Sequence, residues 1–473
     1  MKYSGEFVFL LATLLPAISS AQVSFTATAY PSNAGASSIV SGDFNNDGII
    51  DLVSGGASLS FYKGLGSGKY AAPVTQSYSV DQLAAADFNR DGRLDLVGVG
   101  PLTILLGNGN GTFKQGSVIS TIGNPTYVTL ADFNGDHIPD MAVSIDLETG
   151  AGATQLFLGR GDGKFTESSQ LPFGGKQIVA GDFNADGHQD IAVLNVPPDD
   201  ELVMFLGNGD GTFQAPLEGG FGHPEFLAVG DFYNNRVQSL VVMSTLPTDI
   251  SDFDFRVFRN FVFTARYLDG ALDQSDPQMV SLSQSAALAM VAGELNGGDL
   301  KDDIVLTGIR TISNVFQNIY LLGNGDGTFQ SPVVLPTHGF EGLPFVRDLN
   351  RDSRRDIVAS WAKGDSSGPY VLLNTNSTTN CNPPKANALG VHICAPYNGQ
   401  TLGTSFTFKA AGNAFDGIAK RMELWIDGKK FGQRLEDQFK KTITLPAGKH
   451  VASFVVVDSF DHHSGKSVTF YVQ

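Results

Sequence analysis

One eleven-residue pattern recurs along this chain and limits what it can fold into more than any other feature. DFNNDGIIDLV from Asp43, DFNRDGRLDLV from Asp87, DFNGDHIPDMA from Asp132 and DFNADGHQDIA from Asp182 are copies of one unit. Three weaker copies follow: DFYNNRVQSLV from Asp231, ELNGGDLKDDIV from Glu294 with one extra residue, and DLNRDSRRDIV from Asp348. Their starts are 44, 45, 50, 49, 63 and 54 residues apart, a period suited to one four-stranded propeller blade per unit. The pattern predicts seven blades.

Each unit carries a second signature, a short apolar strand entering a glycine-rich turn and then an aromatic. ILLGNGNGTF ends at Phe113, LFLGRGDGKF at Phe165, MFLGNGDGTF at Phe213 and YLLGNGDGTF at Phe329. The Asn-Gly and Asp-Gly pairs supply the positive φ of tight primed turns, so these segments read as hairpins. GLGSGKY at Gly64–Tyr70 has the wrong glycine spacing for a phosphate loop and Tyr in place of Ser or Thr. The seventh unit has its third strand, YVLLN at Tyr370–Asn374, but no aromatic outer strand after it. Phe25 precedes Asp43 by 18 residues, the offset that separates Phe213 from Asp231, so the N-terminal strand is expected to complete the last blade. Such a clasp removes open strand edges, which an unclosed solenoid of seven units would leave exposed.

The acidic loops carry the candidate chemistry. In Asp43, Asn45, Asp47 and Asp51, oxygen-bearing side chains fall at loop positions 1, 3, 5 and 9, and the carbonyl of Ile49 at position 7 can add a ligand. An all-oxygen shell of about six or seven suits Ca²⁺ better than Mg²⁺ or a transition metal. The second site would use Asp87, Asn89, Asp91, Asp95 and the Arg93 carbonyl, and the fourth Asp182, Asn184, Asp186, Asp190 and the His188 carbonyl. The third keeps Asp132, Asn134, Asp136, Asp140 and the Ile138 carbonyl, but His137 replaces the glycine and its backbone is expected to be strained. The seventh keeps Asp348, Asn350, Asp352, Asp356 and the Arg354 carbonyl, with Ser353 at the glycine position. Both should bind more weakly. The fifth, with Asp231, Tyr233, Asn235 and Ser239, should be empty, and the sixth is left open by its inserted residue. About four to five calcium sites are expected. The competing reading is a set of Asx turns, which alone would not require the Asp at position 9 to recur.

The DxNxDGxxD loops with their GNGDGTF hairpins resemble the FG-GAP (VCBS) repeats of bacterial exported proteins and of the integrin α-chain propeller, over residues 22 to 376. The resemblance implies a seven-bladed propeller with Ca²⁺ between first and second strands, and a role in adhesion, glycan or protein recognition, sometimes appended to enzymes. Residues 388–473, with DG at Asp427-Gly428, LPAGKH and VVDSFDHHSGKS, read as a small β-sandwich and resemble bacterial immunoglobulin-like domains. The polar stretch 377–387 reads as the linker.

Net charge divides the two modules: Lys and Arg minus Asp and Glu gives −21 for residues 1–384 and +4 for 385–473, together the chain's −17. Five filled sites would bring the first to about −11. So acidic a module repels phosphate backbones, which argues against nucleic acid as a partner. Residues 1–21, with one Lys, an apolar run from Phe7 to Ile18 and Ser19-Ser20-Ala21, read as a signal peptide cut near Ala21; no later run suits a transmembrane span. A secreted or cell-surface monomer is expected. Cys381 and Cys394, the two cysteines, are then expected to pair, with two separate thiols as the alternative.

No nucleophile elbow or HExxH motif occurs, and the clustered carboxylates are already placed in metal loops. Asp461 with His462 and His463 reads as a solvated turn rather than a metal site, and Trp425 as core rather than a sugar-stacking ring like the one Trp361 could supply. The longer connections at 146–154, 195–201, 244–254 and 361–369, with Asp199, Asp200, Asp249, Asp252 and Asp254, are either where a ligand would bind or ordinary surface decoration. The reading is therefore a non-catalytic, calcium-stabilised recognition or adhesion protein for an extracellular glycan or protein ligand. The alternatives are a propeller-based polysaccharide lyase or hydrolase, with Arg310 and Lys363 as the available cations, and a structural spacer.

Overall fold

The position-9 aspartates mark where second strands begin: Asp51, Asp95, Asp140, Asp190, Asp303 and Asp356 each open one. The computed structural model describes residues 23–32, 36–195, 201–219, 224–247, 258–268, 270–274, 278–280, 289–296, 301–310, 316–335, 344–350, 352, 354–363, 366–375, 390–396, 401–413, 421–434, 438–457 and 463–473. Every regular element among them is a β-strand, so no helix there is long and apolar enough to cross a membrane. Cys381, the linker call 377–387, the signal segment 1–21, Ser353, His462, and Asp199, Asp200, Asp249, Asp252 and Asp254 lie outside the described residues. So do the side chains of Cys394, Arg310, Trp361 and Lys363.

The acidic loops sit between the first two strands of small antiparallel meanders. The first sheet is Ser38–Gly42, Asp51–Gly55, Leu59–Tyr62 and Val74–Gln76; the second is Gln82–Ala86, Asp95–Val99, Thr103–Gly107 and Phe113–Val118. The third runs Asn124–Ala131, Asp140–Asp146, Gly152–Gly159 and Phe165–Pro172, and the fourth Gly175–Gly181, Asp190–Asn195, Leu202–Phe205 and Leu217–Gly219. The fifth comprises Pro224–Gly230, Ser239–Pro247, Phe258–Leu268 and Ala271–Gln274, with Gln278–Val280 also on its third strand. The sixth is Ala289–Gly293, Asp303–Arg310, Phe316–Leu321 and Val333–Val334. The seventh combines Phe345–Arg347, Asp356–Lys363 and Ser366–Asn374 with the N-terminal strand Phe25–Ala29, which pairs Phe25 with Asn374 and Ala29 with Tyr370.

Second strands such as Asp51–Gly55 and Asp95–Val99 are buried on both faces, so alternate residues feed two different cores. Leu52 packs toward the seventh sheet in a cluster with Val358 and Val371, while Val53 packs toward the second with Leu96 and Leu105. The same division repeats through the series, and the cluster containing Ile39, Leu52, Tyr62 and Leu349 joins the seventh sheet to the first. Burying each such side chain contributes about 1.5–3 kcal/mol. Strands buried on both faces, in many small antiparallel sheets, make a β-propeller-like fold.

The C-terminal strands form a three-stranded sheet, Gly390–Ala395, Ser405–Asn413 and Gln438–Thr444, and a five-stranded one, in the order Thr401–Leu402, His463–Val472, Gly448–Val457, Arg421–Ile426 and Lys429–Arg434. Phe408 and Phe439 from the first meet Leu424, Phe454 and Phe470 from the second in one core. Trp425 departs from its expected place. Met422, Leu424 and Ile426 face that core, and Trp425 shares the opposite face with Arg421 and Glu423, because strand residues alternate in direction.

Candidate metal centres

Short polar side chains bonding to nearby backbone N–H groups fold each acidic loop. In the first loop the Asp47 N–H donates to both Asp43 Oδ1 (3.0 Å) and Asn45 Oδ1 (2.9 Å), so oxygens from positions 1 and 3 converge on one point. Gly48 N donates to Asp43 Oδ2 at 2.7 Å and Ile49 N to Asp47 Oδ1 at 2.9 Å. The second, third and fourth loops repeat this net through Asp87, Asn89 and Asp91, through Asp132, Asn134 and Asp136, and through Asp182, Asn184 and Asp186. In the seventh, Asp352 N reaches Asp348 Oδ1 (3.1 Å) and Asn350 Oδ1 (3.0 Å), and Arg354 N reaches Asp352 Oδ1 at 2.9 Å.

The fold demands left-handed backbone inside these loops. Asn46, Arg90 and Ala185 at position 4 have φ of 58, 59 and 59°, and His137 at position 6 of the third loop has φ of 62°. Such a conformation costs an L-residue roughly 1–2 kcal/mol.

The ninth-position carboxylates do something the sequence alone did not disclose. Asp51 is fully buried and accepts from Phe44 N (3.0 Å) and, across the sheet, from Gly64 N (2.7 Å). Asp95 holds Phe88 N and Gly107 N, Asp140 holds Phe133 N and Gly159 N, Asp190 holds Phe183 N and Gly207 N, and Asp356 holds Leu349 N and Asn374 N. The sixth loop keeps the staple despite its insertion, since Asp303 accepts from Leu295 N and Gly323 N. Recurrence of this aspartate therefore has a structural cause independent of any metal, and it does not by itself separate a cation site from an Asx-turn loop. Burial, with a smaller push from the loop's other aspartates, raises Asp51, Asp95, Asp140 and Asp190 to about 6 and Asp356 to about 7.

Positions 1, 3 and 5 stand more open. Asp47 Oδ2 lies 3.1 Å from Lys63 Nζ, Asp91 Oδ2 3.9 Å from Arg93 Nη1, and Asp352 pairs with Arg354. Asn89, Asn134, Asn184 and Asn350 donate their amides to the position-5 carboxylate at 2.8–3.1 Å. Among the described residues no group of three or more His, Cys, Asp or Glu side chains is gathered as a metal cluster. The donor set nevertheless fits a hard cation, because each loop offers two carboxylates that are at least partly exposed and an amide oxygen, all hard oxygen donors.

The GxF hairpins also prove different from the primed turns expected. Asn108 N bonds Thr112 O and Asn208 N bonds Thr212 O, each at 2.9 Å, so three residues make the loop. Asn110 and Asp210 then accept from the N–H and hydroxyl of the following threonine. These hairpins dock on the acidic loop of the preceding sheet. Gly111 N donates to Phe44 O, Gly163 N to Phe88 O, Gly211 N to Phe133 O and Gly327 N to Phe232 O, each at 3.0 Å. The aromatic that ends the hairpin meets the loop phenylalanine edge to face, as in Phe44–Phe113 at 5.8 Å and Phe88–Phe165 at 5.3 Å. One aspartate thus holds a peptide whose carbonyl holds the next sheet.

Residues 43–98, 97–143 and 146–193 match the FG-GAP-like repeat family, so the chain carries three FG-GAP-like repeats. No curated protein matches the chain. Among solved structures it is similar to the fibronectin(III)-like modules of Clostridium thermocellum CbhA, with 26% identity and a TM-score of 0.17, over 18% of this chain and 96% of that one. It is also similar to Saccharomyces cerevisiae Sqt1, with 10% identity and a TM-score of 0.42, over 73% of this chain and 97% of that one. A third likeness is to the extracellular domain described for a hybrid two component system of B. thetaiotaomicron, with 9% identity and a TM-score of 0.40. That match spans 96% of this chain and 59% of the other.

Proposed function

We propose that residues 22–376 form a seven-bladed FG-GAP propeller closed by its N-terminal strand, that its first, second, third, fourth and seventh loops hold Ca²⁺, and that the exported protein is a non-catalytic recognition or adhesion module carrying a C-terminal immunoglobulin-like domain. The observation that carries the calcium reading is the convergence of the Asp43 and Asn45 side-chain oxygens on the Asp47 N–H, repeated at the equivalent positions of four further loops. Asp43, Asn45, Asp47 and the Ile49 carbonyl, with their counterparts, would supply ligands, and the buried Asp51 a further oxygen.

Bound Ca²⁺ would neutralise carboxylates that otherwise repel one another, which is a structural contribution. The chain's own residues do the rest: the ninth aspartate fixes the loop, and the loop carbonyl fixes the neighbouring hairpin. A rigid ring with connections of unequal length suits binding rather than turnover. Binding of the mature chain to a panel of glycans and matrix proteins, in millimolar Ca²⁺ and in EDTA with melting curves alongside, tests this. A ligand retained only in Ca²⁺ while the fold persists supports it; a panel blank in both buffers would refute it as stated.

A further inference from the structure

The outward face of the C-terminal five-stranded sheet is a second candidate surface, independent of the acidic loops. Odd-numbered residues from Arg421 to Trp425, Lys449 to Val455 and Gly465 to Tyr471 point away from the core that holds Leu424, Phe454 and Phe470. That face carries Trp425, Val451 and Tyr471, the last two exposed by 41% and 43%. Trp425 is in register with Ser453, and Tyr471 with Lys449 four residues away on the same strand. Trp425, Val451 and Tyr471 therefore form a diagonal of about 16 Å across three strands.

Polar side chains surround this diagonal and hold its first ring in place. Trp425 Nε1 donates to Glu423 Oε2 at 3.1 Å, Lys430 Nζ lies 5.8 Å from the indole centroid, and Lys430 also donates to Glu423 Oε1 (2.6 Å) and Gln433 Oε1 (2.7 Å). Arg421 Nε lies 2.9 Å from Glu423 Oε1. A ring fixed in this way loses little conformational freedom on binding. Three cations, Arg421, Lys430 and Lys449, share the face with the Glu423 carboxylate, with Asp427 at its edge held by Val451 N and His450, in a module whose sequence is net positive while the rest of the chain is strongly acidic.

We infer that this face binds an extended anionic polysaccharide, its sugar rings stacking on Trp425 and Tyr471 and its carboxylates or sulfates meeting Lys430, Lys449 and Arg421. A neutral chain would make no use of that excess of positive charge, and the acidic module of a second copy offers no sugar rings to stack on Trp425 and Tyr471.

The test is affinity electrophoresis and tryptophan fluorescence of the full mature chain carrying Trp361→Phe, with polygalacturonate, a sulfated glycan and neutral cellulose oligomers as probes. EDTA is present throughout, so calcium bridging cannot contribute and failure of the propeller reading is scored separately. Expected is retardation by one of the anionic probes with quenching of Trp425, weakened about tenfold in Trp425→Ala, partly kept in Trp425→Phe, and weakened by salt and by Lys449→Glu. A melting curve confirms that each variant folds. Retardation by neutral chains alone, an anionic effect that Trp425→Ala leaves unchanged, no binding by any probe, or a dimer formed through this face would each overturn the inference.

Discussion

The fourth and fifth sheets carry the same strand order, and the fifth loop still takes the next hairpin at Phe232 O, yet the two differ at loop positions 3 and 9 and at the hairpin. In the fourth, Asp190 staples two backbone N–H groups, at 2.8 Å each, and the hairpin Gly211 N docks on Phe133 O of the third sheet. In the fifth, Ser239 stands at position 9 and reaches Phe232 N at 3.4 Å while donating to Gly230 O. Tyr233 replaces the position-3 asparagine and bonds Thr264 instead, and the Arg266 guanidinium lies 4.4 Å over its ring and 2.9 Å from Asp273. A guanidinium here stands against the side chain at position 3 of the loop. The fifth sheet also lacks a GxF hairpin; Gln238 Oε1 takes the Asp182 N–H at 2.7 Å across that seam. The sheet thus forms without the position-9 aspartate and the position-3 asparagine, with Ser239, Tyr233 and Gln238 supplying other bonds at those places.

The largest predicted effect sharpens the contrast at the hairpin. Phe113→Ala removes the buried ring packed on Phe44 and should cost about 3–5 kcal/mol by chemical denaturation. Next, Asp190→Ala leaves two buried N–H groups unpaired and should cost about 2–4 kcal/mol, while Ser239→Ala should cost less than about 1 kcal/mol. Equal losses at the two positions would break the comparison. Third, Ca²⁺ at about a hundred times its dissociation constant should stabilise each competent loop by roughly 2.7 kcal/mol, and Asp182→Asn should shrink the melting shift where Asp231→Asn should not. Fourth, His137→Gly relieves a left-handed β-carbon and should gain about 0.5 kcal/mol, read as a higher melting midpoint.

The smallest effect concerns pH in the C-terminal module. His450 Nδ1 lies 2.6 Å from Asp427 Oδ2 and its Nε2 2.9 Å from Pro446 O; the Asp427 bond raises the imidazole above its ordinary value. A raised folded-state value means this stability is fully present below about pH 6.5 and is lost as pH climbs through the folded value. Melting of the wild type should fall across that interval relative to Asp427→Asn, in which the fall should vanish.

Much of this was legible because the repeats are in phase with the strands. The period, the start of each second strand at an aspartate, and the existence of the hairpins follow from local chemistry that the chain writes several times. The staples were not legible, because the second N–H held by each ninth aspartate lies at a variable distance along the chain: Gly64 is 13 residues after Asp51 and Gly159 is 19 after Asp140. The docking of a hairpin on the previous loop is a contact between repeats, which a pattern within one repeat does not encode. The misplacement of Trp425 had an available remedy. In RMELWI the tryptophan shares its parity with Arg421 and Glu423, and alternation should have outweighed its apolar neighbours.

The measurement that bears most directly on the central claim is the calcium stoichiometry of the metal-stripped mature protein by equilibrium dialysis. The account predicts about four to five ions per chain, one fewer in Asp186→Asn and no change in Asn235→Ala. No bound calcium at millimolar concentration, or a count that Asp186→Asn leaves unchanged, would contradict it and leave the acidic loops as self-sufficient Asx turns.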